Sequence, residues 1–341
     1  MARLVVVSFR LGESDGVSVE AKKWVNALRE LGHRVTTLAG EGDTDHLMPS
    51  LAIGASEGVS FDNLTSALED TDLVVVENLV SLPLNVSARD TLYRALDGRP
   101  AIFRHHDLPW QREQWRGESA PLDQAPWRHV TINDLSRREL RDRGIHAVTI
   151  HNSFDCAPPL GRRDETRSAL AIADERLVVM PTRAIPRKNV AGGLALAESL
   201  KATFWLLGAA EDGFDDELER LLASTSARVV RGVPRGFDIH DAYAASDLVV
   251  MPSTWEGFGN PVLESVTHRR PLAVYPYPVL KEIRDFGFQF FDLDDVTEIS
   301  HFLENPREEH FEHNASLAIR NFNVADLPRR LAPILESVGI L

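Results

Sequence analysis

The feature that most constrains this chain is an alternation that runs through it and then starts again. Short apolar runs rich in β-branched residues are followed by amphipathic stretches. LVVVSF, Leu4 to Phe9, opens the series, and a run with no polar alternation predicts a strand buried on both faces. Val19 to Leu31 predicts a helix with Trp24, Leu28 and Leu31 on one face, ended by Gly32; Arg34–Leu38 is the next strand. Further strands are expected at Leu73–Glu77, Ala101–Arg104, His129–Ile132 and Ala147–His151, with helices between. CAPPLGRRDET, Cys156 to Thr166, carries prolines, a glycine and charges, as a linker does. The alternation then restarts, with strands expected at Leu177–Pro181, Thr203–Leu207, Ala227–Arg231, Leu248–Met251 and Pro271–Tyr275.

Strands separated by helices imply parallel sheets covered on both faces. The 341 residues suit two domains rather than one. The expected fold class is α/β, with two Rossmann-like doubly wound domains facing across a cleft. Residues 1–155 form the first and residues 156–341 the second, with the last helix free to pack back on the first. Ligands of open α/β sheets sit beyond the carboxyl ends of the strands.

A net charge of −14 argues against nucleic acid as a partner. No apolar run approaches the ~20 residues of a membrane span. MARLVVVSFRLGES lacks a small-residue cleavage site and reads as a first core strand, not a signal peptide. The single Cys156 excludes an internal disulfide and a cysteine-based zinc site, and a cytoplasmic location is the default.

The most informative stretch is LVVMPSTWEGFGNPVLESVTHRRPLAV, Leu248 to Val274. A strand is expected to end at Met251 and a loop with Glu256, Gly257, Phe258 and Gly259 to follow. Asn260 is read as the cap of a helix starting at Pro261, with Glu264 in its first turn. Such a helix start attracts anions, and the glycines let one approach the backbone. From spacing alone, two solvated glutamates flanking a strand–turn–helix is the plainer reading. A second stretch, MPTRAIPRKNV, ends a strand in a loop with Arg183, Arg187 and Lys188. It reads either as a charged loop or as a cationic clamp on a diphosphate.

These stretches resemble the signature of the family-four retaining glycosyltransferases. Glu256 and Glu264 have that family's glutamate spacing within a PS-x-x-EGFG-x-P-x-LE frame, and Arg183 and Lys188 match its R-x-x-x-x-K element. The resemblance implies the B-type glycosyltransferase fold. It implies transfer of a hexosyl-type sugar from a UDP-, GDP- or ADP-sugar with retained anomeric configuration, by same-face attack assisted by the leaving diphosphate. Glu256 would contact the donor sugar and Glu264 the ribose hydroxyls. The backbone of Gly257, Phe258 and Gly259, with Asn260, would lie against sugar and phosphates. Arg183 and Lys188 would neutralise the diphosphate. One departure is Arg269, where the family usually has glycine, so helix–strand packing there must be arranged differently.

The first half matches more weakly. The turn Arg10 to Ser18 stands where the family has its glycine-rich loop, with Asp15 and Gly16. RHHDLPW follows a strand end, and His106 takes the place of a histidine that relatives hold near the donor sugar, with Asp107 beside it. A hydrogen-bonded structural turn is the plainer reading of that His-His-Asp, and metal ligation there needs a third ligand. Glu77, Asn78 and Asn133 also end strands, on the expected acceptor side. His151-Asn152-Ser153-Phe154-Asp155 resembles the family's Pro-Asn-Gly-x-Asp hinge.

Trp110, Trp115 and Trp127 lie in a polar stretch that reads equally as a surface excursion or an acceptor lid. Glu113, Glu118 and Asp123 spoil it as an amphipathic membrane-surface helix, though such contact stays open. The acceptor is an unidentified carbohydrate, lipid or small molecule, and the oligomeric state is unknown. No cofactor and no metal is expected. Two Asp-x-Asp triplets, Asp43–Asp45 and Asp70–Asp72, sit in a polar loop and at a strand's amino end; a third, Asp292–Asp294, lies past the donor motif. A sugar phosphorylase or nucleotide-sugar epimerase of the same fold is one alternative, and a non-catalytic nucleotide-sugar-binding module another.

Overall fold

The structure, a computed structural model, describes residues 1–12 and 15–340. Glu13 and Ser14, within the stretch from Arg10 to Ser18, lie outside them. The chain divides into two compact units: Met1–Ser153 with Val324–Leu341, and Phe154–Asn323.

The first unit runs β1 (Arg3–Leu11), α1 (Gly16–Glu30), β2 (Arg34–Gly42), β3 (His46–Leu47), α2 (Phe61–Leu68), β4 (Leu73–Glu77), α3 (Val86–Ala95), β5 (Ala101–His105), β6 (Trp127–Thr131), α4 (Asp134–Arg141) and β7 (Ala147–Thr149). Its seven strands are parallel in the order β3-β2-β1-β4-β5-β6-β7. β4 is buried throughout, as an apolar run covered on both faces must be. One face packs Trp24 and Leu28 of α1, and it also receives Leu327, Leu331, Ile334 and Leu335 of the C-terminal segment. The other packs α2 and α3 through Leu64, Leu68, Leu92 and Leu96.

The second unit runs α5 (Arg163–Ala169), β8 (Leu177–Met180), α6 (Val190–Ser199), β9 (Thr203–Leu206), α7 (Asp215–Ser224), β10 (Val229–Arg231), α8 (Ile239–Ala245), β11 (Leu248–Met251), α9 (Asn260–Thr267), β12 (Leu272–Val274), α10 (Leu280–Arg284), β13 (Phe291–Asp292), α11 (Val296–Glu304) and α12 (Glu308–Phe322). The chain then returns to the first unit through α13 (Leu327–Glu336). The six strands are parallel in the order β10-β9-β8-β11-β12-β13. Both units are therefore doubly wound, with the strand order reversing between β1 and β4 and between β8 and β11. Ligands bind at such switch points, beyond the carboxyl ends of the strands. No helix among the described residues is long and apolar enough to cross a membrane.

The expected linker is only partly one, because Arg163–Ala169 is helical. The guanidinium of Arg162 pairs with Asp241, and that of Arg163 donates to the carbonyls of Ala244, Ala245 and Ser246. Those contacts fasten the segment to the second unit, which neither proline nor charge content reveals.

Candidate functional site

At the switch point of the second unit, β8 and β11 end side by side. The loop after β8 carries Arg187 and Lys188, and the loop after β11 carries Glu256. Lys188 Nζ stands 2.5 Å from Glu256 Oε1, and Arg187 Nη1 stands 2.9 Å from Glu256 Oε2 and 2.9 Å from the carbonyl of Trp255. Thr254 N–H donates to the Arg187 carbonyl at 2.9 Å, which ties the two loops together. Glu256 and Lys188 are buried. Burial alone raises the carboxyl pKa of Glu256, but Lys188 and Arg187 outweigh it and hold it below the ordinary value. Burial pulls the Lys188 ammonium down, against the pull of Glu256. The three charges sum to one positive charge. On the same two loops, the hydroxyl of Thr182 and the indole N–H of Trp255 are buried without a hydrogen-bond partner among the described residues.

Arg183 is not part of this cluster. Its guanidinium pairs at 2.5 Å with Glu211, and both are more than one-third exposed. Spacing places Arg183 on the loop, but which way it faces is decided by Glu211 in the neighbouring loop.

Two details of the helix after the loop differ from expectation. The cap of α9 is Gly259, not Asn260, and Glu264 falls in the second turn, not the first. Gly259 holds φ +89°, and a Cβ there would lie 2.4 Å from the Tyr277 hydroxyl and 2.6 Å from Met251 Cε. Only glycine meets both demands. Tyr277 donates to the Phe258 carbonyl at 2.8 Å, while the Phe258 ring stacks on Phe154 within the unit. Gly257 remains half-buried at the loop tip, and Asn260 half-buried at the helix start.

Glu264 has company that sequence reading missed. The Tyr243 hydroxyl donates to its Oε2 at 2.7 Å. The His268 ring stacks on Tyr243 and bonds the Glu264 carbonyl at 2.7 Å, with His240 in turn 2.9 Å from His268 Nε2. Burial, then the Glu264 charge, raises the Tyr243 phenol well above its ordinary range, so it stays a donor. Arg269, at the family's glycine position, adopts φ +53° and forms an ion pair with Glu308.

In the first unit, Asp15 caps α1 by accepting from the N–H groups of Val17 and Ser18, so Gly16 is the first helical residue. β4 and β5 end beside it. Glu77, expected at a strand end on the acceptor side, is fully buried and faces Arg104 at 3.2 Å and His106 Nε2 at 2.7 Å. Arg104 is itself buried, lies over the Trp24 ring, and bonds Glu20 and Asn152. Asn78 stands at φ +57°, and its Oδ1 accepts from the backbone N–H of His106 and of Asp107. Asp107 pairs with Arg112. Asn133 is buried and caps α4 by accepting from Ser136 N.

The tryptophans do not act together. Trp127 is buried in β6, edge-on to Phe103. Trp110 donates to Glu139 and lies under the Arg143 guanidinium, and Trp115 is half-buried. A second missed network is the buried row of Ser81, His105 and His129, linked at 2.7 and 2.9 Å. Burial pushes His105 well below the ordinary histidine value and His129 down to about 4.

Residues 162–291 match glycosyl transferases group 1 as a family. Mannosylglucosylglycerate synthase of Thermotoga maritima is 26% identical, over 95% of this chain and 97% of that protein. The Petrotoga mobilis protein of that name is also 26% identical, over 86% and 87%. Among solved structures, Anabaena Alr3699/HepE in complex with UDP and glucose superposes with a TM-score of 0.75, at 17% identity, over 99% of this chain and 100% of that one. Sucrose-phosphate synthase from Thermosynechococcus elongatus does so with a TM-score of 0.75 at 13% identity, over 99% of each. The structural likenesses establish the two-Rossmann-domain glycosyltransferase fold. The family match lies on the unit that carries Glu256, Lys188 and Glu264, and the chain is a glycosyltransferase similar there to group 1.

Proposed function

We propose that the chain transfers a hexosyl group from a nucleotide sugar with retention of anomeric configuration and without a divalent metal. The second unit serves as the donor domain and the first as the acceptor domain. The observation that carries this is the Glu256–Lys188–Arg187 cluster at the β8/β11 switch point. It pairs an anion suited to sugar hydroxyls with cations suited to a departing diphosphate. The excess positive charge and the start of α9 are fixed before substrate arrives, so stabilising the leaving group needs little reorganisation. The unpartnered Thr182 hydroxyl and Trp255 N–H leave polar capacity for a ligand there. Glu264, oriented by Tyr243, suits ribose hydroxyls, and His106 suits a hydroxyl of the transferred sugar.

Metal independence is supported by where the Asp-x-Asp triplets sit. Asp72 accepts from Arg3 N, Asp45 from Thr37, and Asp292 from Arg284. Each is engaged in local structure.

Anabaena Alr3699/HepE holds UDP and glucose, so uridine donors head the donor panel, followed by GDP- and ADP-sugars. The Thermotoga and Petrotoga relatives are named for making a glycosylglycerate, so small glycosides of glycerate head the acceptor panel. A thermal-shift screen of nucleoside diphosphates finds the donor, since a ligand at 100 times its Kd stabilises by about 2.7 kcal/mol. Proton NMR of the product then reads the anomeric configuration, and an EDTA titration reads the metal requirement. An inverted product, or activity lost in EDTA and restored by magnesium or manganese, overturns the reading.

A further inference from the structure

The end of β4 does more than close a strand. Glu77 is wholly buried, yet both its oxygens are used: Arg104 Nη1 lies 3.2 Å from Oε1, and His106 Nε2 lies 2.7 Å from Oε2. Arg104 cannot turn away, because Glu20, Asn152 and the Trp24 ring hold it from three sides. Lys23 pairs with Glu20 at 2.5 Å, so Glu20 is shared between Lys23 and Arg104. The base of the imidazole is fixed as well, by Asn78 accepting from the His106 backbone N–H at 3.0 Å.

We propose that Glu77 is a positioning residue that sets the tautomer of His106. An ionised carboxylate only accepts, so the ring proton sits on Nε2 and points at Glu77. Nδ1 is left as a bare acceptor. It has no hydrogen bond within the described chain, and it is not among the buried polar atoms that lack a partner. An acceptor at that place reads a hydroxyl proton, and it rejects a sugar with no hydroxyl there. This rests on the reading above that His106 faces the transferred sugar, and it adds which atom recognises the hydroxyl and what orients that atom.

The test uses the full chain labelled with 15N-histidine and long-range 1H–15N correlation spectra. His106→Gln assigns the His106 signals by their loss. The wild-type protein is expected to carry a proton on Nε2 and none on Nδ1. In Glu77→Gln the amide has one oxygen for two donors, Arg104 and His106, so Nδ1 is expected to gain the proton. With the donor found by the screen, Glu77→Gln is expected to lower kcat by at least about tenfold, since a wrong tautomer disables a histidine. Its Kd for the free nucleoside diphosphate should stay within about twofold, as that ligand meets the other unit.

A wild-type spectrum with Nδ1 protonated overturns the proposal, and that spectrum decides even if Glu77→Gln does not fold. A tautomer unmoved in Glu77→Gln also overturns it. If the tautomer behaves as stated but His106→Gln transfers at the wild-type rate, the place of His106 at the sugar is refuted instead, and recognition by Nδ1 falls with it.

Discussion

Lys188 and Glu256 lie 2.5 Å apart with their side chains at most one-tenth exposed, which makes a double-substitution cycle decisive. Lys188→Met keeps the apolar stem and removes the charge, and Glu256→Gln keeps the shape. Breaking a buried pair by removing one partner costs about 3–5 kcal/mol, because the other charge stays desolvated. Arg187, 2.9 Å from the second oxygen, remains as a counter-ion when Lys188 is lost. Lys188→Met should therefore fall at or just below the lower end, about 2–3 kcal/mol. Glu256→Gln leaves two cations facing each other and should cost about 3–4 kcal/mol. The double variant retains only Arg187 and should cost less than the sum of the singles by about 2 kcal/mol or more. Urea unfolding of the second unit's transition measures this, compared as shifts in midpoint because two units need not unfold as one. The ligand arm has the opposite sign for the two singles. Lys188→Met should weaken nucleoside diphosphate binding. Glu256→Gln raises the cluster from one to two positive charges, so it should bind the free nucleotide at least as well while transferring poorly. Additive costs within about 0.5 kcal/mol would refute the reasoning. So would weaker nucleotide binding in Glu256→Gln.

Four further outcomes are expected. Tyr243→Phe removes the donor at Glu264 Oε2 and should raise the nucleoside diphosphate Kd about tenfold, near 1.4 kcal/mol, by calorimetry; an unchanged Kd refutes the orienting role. Gly259→Ala should destabilise the second unit by about 3 kcal/mol or more and abolish the nucleotide-induced thermal shift, since it combines a left-handed φ with two close contacts. Arg269→Gly should raise stability by about 1 kcal/mol: relief of the φ +53° conformation exceeds the loss of an exposed ion pair. Stability should fall as pH drops from about 6.5 towards 4. There the unfolded state protonates His129, whose folded pKa is depressed, so unfolding binds protons; the slope integrates to roughly 3 kcal/mol for His129, and His129→Gln should flatten the acid limb.

Local pattern and long-range partnership were legible to different degrees, and the two glutamates of the motif show why. β4 and β11 could be placed to the residue because a β-branched run without polar alternation has one stable environment, a covered parallel sheet. The position of Glu256 beyond a strand end followed from the same logic. Its partners did not, because Arg187 and Lys188 lie nearly seventy residues away and meet it only when β8 becomes the neighbour of β11. Spacing likewise gave Arg183 and Lys188 equal claims on the diphosphate. The fold separates them: the loop after β9 offers Glu211 to one, and the loop after β11 offers Glu256 to the other. The helix start was misread by one residue for a local reason. Asparagine followed by proline is a good cap signal, but the cap falls one residue earlier at Gly259, where a left-handed φ and the close approach of Tyr277 and Met251 admit only glycine. In the first unit, Glu20, Glu77 and Arg104 carry no motif. Glu20 reads as an ordinary helix carboxylate and Glu77 as a strand-end one, until the β1/β4 switch point stacks them around a buried guanidinium. A charge that is fully desolvated must be paired, so each member of that network accounts for the others. That is why the doubly wound order, once known, points to His106 more strongly than its own His-His-Asp sequence does.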